Sequence, residues 1–123
     1  MSIPVKVGDL GKALEGFGTG YLLTSSDGRV KVVTVEPSVV DGTVRVPAPG
    51  CGTLANLADN PVVTLVFPPL EQRGYTLLVD GTAETDGDDV HISATGAVLH
   101  RPAAHADGPP APDGCGHDCR PVP

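Results

Sequence analysis

Apolar and polar positions divide this chain into short hydrophobic segments separated by tight, polar turns. Tyr21 to Ser25 is largely apolar and runs into Asp27-Gly28, a pair suited to a two-residue hairpin turn. Arg29 to Val35 then alternates, placing Val30, Val32 and Thr34 on one face and Lys31, Val33 and Val35 on the other. A second pair, Asp41-Gly42, predicts another hairpin between Val39-Val40 and Thr43 to Val46. Val62 to Phe67 is an unbroken apolar run, the pattern of a central strand covered on both faces, and Pro68-Pro69 ends it. Tyr75 to Thr85 and Val90 to Leu99 supply two more strands, joined through Asp86-Gly87-Asp88-Asp89.

Two stretches depart from the β pattern. Near the start, Asp9 is placed to cap a short helix, Leu10, Ala13 and Leu14 share one face, and Gly16 can end it in a left-handed conformation. Later, Thr53 can cap a second helix in which Leu54, Leu57 and Ala58 recur at helical spacing, and Asn60-Pro61 forces a stop. The prediction is a mainly β domain: a six-stranded barrel with one or two short helices, one of them plugging an end.

Beyond Arg101 the composition changes. Residues 102–123 hold 6 of the 13 prolines, and Val122 is their single branched aliphatic residue. So little apolar area cannot offset the entropy of ordering. The expectation is a domain at 1–101 and a disordered or extended Pro/Gly-rich tail at 102–123, ordered in part against the barrel.

Composition narrows the partners. With 123 residues there is room for one domain, and with 3% aromatics and no Trp the core must be Val, Leu, Ile and Ala. A net charge of −7 repels phosphate backbones and anionic lipid heads, so neither nucleic acid nor a membrane is an expected partner. Met1-Ser2-Ile3-Pro4 carries no export signal, and a cytoplasmic protein is expected. The strands hold more apolar surface than one small barrel hides, which predicts a homodimer.

Candidate chemistry lies in three places. Pro49-Gly50-Cys51-Gly52-Thr53 combines a glycine-rich turn with a helix start, where free N–H groups can meet an anion; the alternative is a plain turn capped by Thr53. Lys31 and Arg45 are strand cations able to neutralise a phosphate or simply to keep a strand edge soluble. In the tail, Cys115, His117 and Cys119 offer ligand types that suit zinc. Three ligands do not close a structural site, although Cys51 or His105 could complete it, and a local Cys115–Cys119 disulfide is the alternative. No stoichiometric metal is expected. The four histidines and the turn acids form no recognisable catalytic frame.

The order of these pieces resembles the pyridoxamine 5′-phosphate oxidase-like family of split β-barrels over about residues 15 to 102. The resemblance rests on the 21–35 hairpin, the run Thr53-Leu54-Ala55-Asn56-Leu57-Ala58-Asp59-Asn60-Pro61-Val62-Val63-Thr64-Leu65, and the segments 74–83 and 97–102. It implies a dimeric six-stranded split barrel with FMN or the deazaflavin F420 in a groove between subunits. It also implies that Lys31 meets the cofactor phosphate, that the backbone of Val46-Pro47-Ala48 lies along the flavin ring, and that Cys51-Gly52-Thr53 precedes the helix at the anion site. Thr53 stands where the family usually carries Lys, and Glu36 where it carries a second cation. The implied function is a flavin- or F420-dependent oxidoreductase acting on a small-molecule substrate. The alternative is a non-catalytic split barrel that binds a small molecule, haem or a metal, with the Cys/His tail as one candidate place for it.

Overall fold

The computed structural model describes residues 2–102. Along the chain come β1 (Ser2–Val5), a 3-10 turn (Val7–Asp9), α1 (Leu10–Leu14), β2 (Gly20–Ser26), β3 (Arg29–Val35), β4 (Ser38–Val40) and β5 (Thr43–Val46). Then follow α2 (Cys51–Asp59), β6 (Val62–Phe67), β7 (Thr76–Asp86) and β8 (Asp89–His100). Both Asp-Gly pairs form the hairpins their chemistry predicts. Asp27 and Gly28 have φ of 53° and 75°, and Asp41 and Gly42 have 52° and 77°, so both central residues are left-handed as a type I′ turn requires.

All strand pairings are antiparallel, in the order β3-β2-β6-β7-β8-β5-β4, with β1 added to β8. The end strands β3 and β4 do not pair with each other, so the sheet stays open and the barrel is split. One sheet face supplies the core: Leu22, Val63, Leu65, Phe67, Leu77, Val79 and their neighbours are almost fully buried. On β8 the inward positions change parity, from Val90 and Ile92 to Ala97. The register explains it: Asp80 pairs with Gly96 but Gly81 with Ala94, so Thr95 is an extra residue. This bulge keeps Ala97 on the inner face, and Thr95 Oγ1 donates to the Asp80 carbonyl across it at 3.2 Å.

The mainly β architecture with two short helices matches the expectation, with eight strands in place of six. The strand that sequence pattern misses is β1, because Pro4 lacks an N–H and reads as a breaker. It is accommodated because β5 covers β8 only at residues 90–92, leaving residues 97–100 open to a short edge partner. Four local expectations are corrected. Asp9 makes no side-chain cap hydrogen bond, and Gly16 is not left-handed, since α1 ends through Glu15 in an ordinary right-handed conformation. The β6 strand is central but buried on one face alone among the described residues: Val63, Leu65 and Phe67 point in, while Val62 is 60% exposed. Of Leu54, Leu57 and Ala58, Leu57 is buried and Leu54 half-buried against the core, but Ala58 is exposed and Thr53 takes its place, because the helix rests on polar contacts to β2 that turn Ala58 outward.

Candidate functional site

Helix α2 lies against β2, and hydrogen bonds between small polar side chains fix it there. Asn56 Nδ2 donates to the buried Thr24 Oγ1 at 3.1 Å, Asn60 Nδ2 to Ser25 Oγ at 3.0 Å, and Ser26 Oγ to Asp59 Oδ2 at 2.7 Å. The C-terminal end of the helix therefore sits over Ser25 and Ser26, next to the 27–28 turn, with Asn56 one residue further back over Thr24. Thr24 pairs with Lys31 and Ser26 with Arg29, so these two cations stand on the same β2–β3 face as the residues that hold the helix.

Lys31 reaches the start of that helix. A Cβ built on Gly52 would sit 3.0 Å from Lys31 Cε and 3.1 Å from its Nζ, so the glycine leaves the space that the ammonium occupies. Lys31 makes no ion pair within the described residues. A free cation thus stands beside unpaired N–H groups at the positive end of a helix, an arrangement that favours an anion. An open groove of about 650 Å³ extends from there, lined by Ser26, Asp27, Arg29, Val30, Lys31 and Asn56.

Lys31, Gly52, Cys51 and Thr53 thus come together at one helix end, with Cys51 exposed and its thiol free. The role of Thr53 differs from its sequence reading. Gly50 occupies the cap position with φ of 108°, and its carbonyl accepts the first helical bond from Leu54 N at 3.1 Å. Thr53 lies one turn in, fully buried, with an Oγ1 that has no hydrogen-bond partner among the described residues. Glycine wins the cap because a φ of that sign is costly for any residue with a Cβ.

Val46, Pro47 and Ala48 form the approach to the helix. Val46 is buried, so only its backbone can face a ligand, while Pro47 and Ala48 are exposed. Ala48 adopts φ of 41°, and its N–H donates to Asp89 Oδ1 at 3.0 Å. The other carboxylate oxygen of Asp89 accepts from Arg45 at 2.8 Å. Arg45 is therefore engaged at the root of this loop rather than free for a phosphate. The Arg45 hydrogen bond and then the Ala48 N–H hold the Asp89 carboxyl below its ordinary range, and Asp89 in turn raises Arg45. A carboxylate whose folded pKa is depressed contributes its stability above the unfolded pKa, about 3.9, and loses it as pH falls through the folded value. Acidification below about pH 4 should therefore lower the melting temperature of the wild type more than that of Asp89→Ala. Parallel acid melts that show identical slopes would disprove this role for the Asp89 clamp.

Arg29, Asn56, Ser26 and Asp27 are groove residues that the sequence reading missed. Parity was the available signal for Arg29, which stands two residues before Lys31 on the same strand face. Asn56 had no such signal, since only the seating of α2 brings it to the groove. The candidate metal residues Cys115, His117 and Cys119 lie outside the described residues. Among the described residues no group of three or more His, Cys, Asp or Glu side chains is placed to hold a metal ion. No helix among them is long and apolar enough to cross a membrane.

No family model matches the chain. It is 41% identical over 127 residues to the uncharacterized proteins Mb0449c of Mycobacterium bovis and MT0457 of Mycobacterium tuberculosis, with 89% of each chain covered. Among solved structures it is similar to an FAD-binding protein from Mesorhizobium loti, with TM-score 0.64 and 15% identity over 81% of this chain and 99% of that one. It is also similar to a candidate pyridoxamine 5′-phosphate oxidase from Corynebacterium glutamicum, with TM-score 0.62 and 12% identity over 83% and 100%. A protein named as an F420 reductase aligns with TM-score 0.54 and 18% identity over 75% and 92%. At these identities the solved structures share the fold.

Proposed function

The chain belongs to one family with the two mycobacterial proteins and has the split-barrel fold of the pyridoxamine 5′-phosphate oxidase-like proteins, and from that premise we propose that it binds a flavin-type cofactor and works as an oxidoreductase on a small-molecule substrate. The observation that carries this reading is the Lys31 ammonium set against Gly52 at the start of α2. FMN, FAD and F420 all carry phosphate, and a cation beside free helix N–H groups is the chemistry that holds one.

The residues present fit such a group. The side-chain-free Gly52 gives an anionic oxygen close access to the backbone, and Lys31 supplies a compact charge with three donors. The loop 46–48, turned by the left-handed Ala48 and braced by Asp89, offers exposed backbone against which a flat ring can lie. When bound, a flavin or deazaflavin would supply the hydride or electron transfer, and the protein's share is binding, orientation and exclusion of water.

A second copy of the chain belongs to this reading. The outer face of β2, β3 and β6 displays Tyr21, Val30, Val32 and Val62, exposed by 39%, 64%, 54% and 60%. Pairing through this face would bury it. Size-exclusion chromatography with absorbance and light-scattering detection tests both claims after incubation with FMN, FAD or F420. The expected result is cofactor absorbance travelling with a species of twice the 12.5 kDa chain mass. Protein that elutes colourless with all three cofactors would sink the flavin reading; cofactor carried on a monomer would sink the dimer.

A further inference from the structure

We propose that the groove beside β3 selects a cofactor carrying a diphosphate and an adenosine ribose, an FAD-type dinucleotide, over one ending in a single phosphate. This inference rests on the flavin-type reading above and extends it outward from Lys31. Arg29 and Lys31 stand two residues apart on the same face of β3, about 7 Å along the strand. Both line the groove, and neither makes an ion pair among the described residues.

In a chain with 15 acidic residues against 8 basic ones, two free cations on one strand face are not the expected background. A terminal monophosphate needs the inner cation alone, at Gly52 and the helix start. The outer cation then faces open groove, where a second phosphate attached to the first would lie. Arg suits that place, because its planar fork can hold two oxygens of one phosphate at once.

Beyond Arg29 the groove changes sign. Asp27 closes this end, with Ser26 beside it, and the Asp59 carboxylate is already occupied by Ser26 Oγ. A carboxylate repels a third phosphate but accepts hydrogen bonds from a ribose diol. The order along the groove is therefore cation, cation, hydroxyl acceptor, which matches phosphate, phosphate, ribose.

The test is equilibrium titration of wild type, Arg29→Ala and Arg29→Lys with FMN, FAD and ADP, read by calorimetry. Arg29 is exposed in a hairpin, so all three proteins should melt alike. FAD should bind wild type at least tenfold more tightly than FMN. Arg29→Ala should lose that advantage while its FMN affinity changes less than threefold, and Arg29→Lys should keep most of it. Equal affinities for FMN and FAD, or an equal loss of both in Arg29→Ala, would overturn the selection while leaving the flavin reading in place. ADP binding that depends on Arg29 without any flavin binding would do the opposite, keeping the diphosphate groove and removing the flavin. If none of the three ligands binds, both ideas fail.

Discussion

Replacing Lys31 with Ala is expected to weaken cofactor binding by about 1.5–3 kcal/mol, roughly tenfold to more than a hundredfold, without measurable loss of stability. The binding loss follows from position. Lys31 lies on an end strand with its stem across Gly52, and Arg45 is committed to Asp89 and cannot take over. Stability should hold because the side chain is exposed and free of ion pairs among the described residues, and surface substitutions of that kind stay within about 0.5 kcal/mol. Gly52→Ala offers the same test from the other side. Its methyl group would sit 3.0–3.1 Å from Lys31 Cε and Nζ, so the flexible lysine must swing away, and affinity should fall in the same direction. Lys12→Ala, an exposed cation on α1, controls for loss of positive charge in an acidic protein. Titration of all four proteins at two salt concentrations is the measurement. Wild-type affinity in Lys31→Ala would place the anion elsewhere.

The hairpins, the Asn60-Pro61 stop and the strand order along the chain were legible because each rests on short-range chemistry. Asp-Gly accepts left-handed backbone at Asp27-Gly28 and Asp41-Gly42 whatever the rest of the fold does. Lys31 and the glycine-rich start of α2 were legible as candidate positions for a related reason, since charge and missing side chains act locally. What escaped the sequence depends on packing between distant segments. The cap role passed from Thr53 to Gly50 because the path out of β5 sets the backbone there, and that path is held by Asp89, 41 residues beyond Ala48. The Thr95 bulge reverses the inward parity of β8, and a single Gly96 in an otherwise regular strand was its only trace. Val62 to Phe67 has the composition of a strand buried on both faces, yet Val62 and Val66 point to an outer face that a single copy leaves uncovered. That mismatch between composition and exposure is itself an argument for the second subunit proposed above.

Phe67→Ala is expected to destabilise the protein by about 3–5 kcal/mol, a large part of the roughly 5–15 kcal/mol typical of a domain. With only two Phe residues in the chain, the core has little aromatic volume to redistribute. Phe67 is 1% exposed, and its ring stands 6.2 Å from that of Phe17, tilted by 56°. Its other neighbour is the backbone of Gly20, where an added Cβ would lie 2.6 and 2.8 Å from two ring atoms. No real side chain tolerates that approach, and a buried ring has nowhere to go. Gly20→Ala should therefore cost about 1–3 kcal/mol in the wild type through overpacking. In the Phe67→Ala background the obstacle is gone and the new methyl group enters the vacated space. There Gly20→Ala should be nearly neutral or mildly restorative, a coupling of about 0.5–3 kcal/mol. Urea denaturation of the four proteins of this cycle measures it, with the same slope required throughout for the comparison to hold. Additive losses would mean that the cost at Gly20 arises from backbone strain rather than from the Phe67 ring. The far end of the same hairpin carries Arg29 and Lys31, so affinity for the cofactor, corrected for the folded fraction, should survive the Phe67 change even where stability does not.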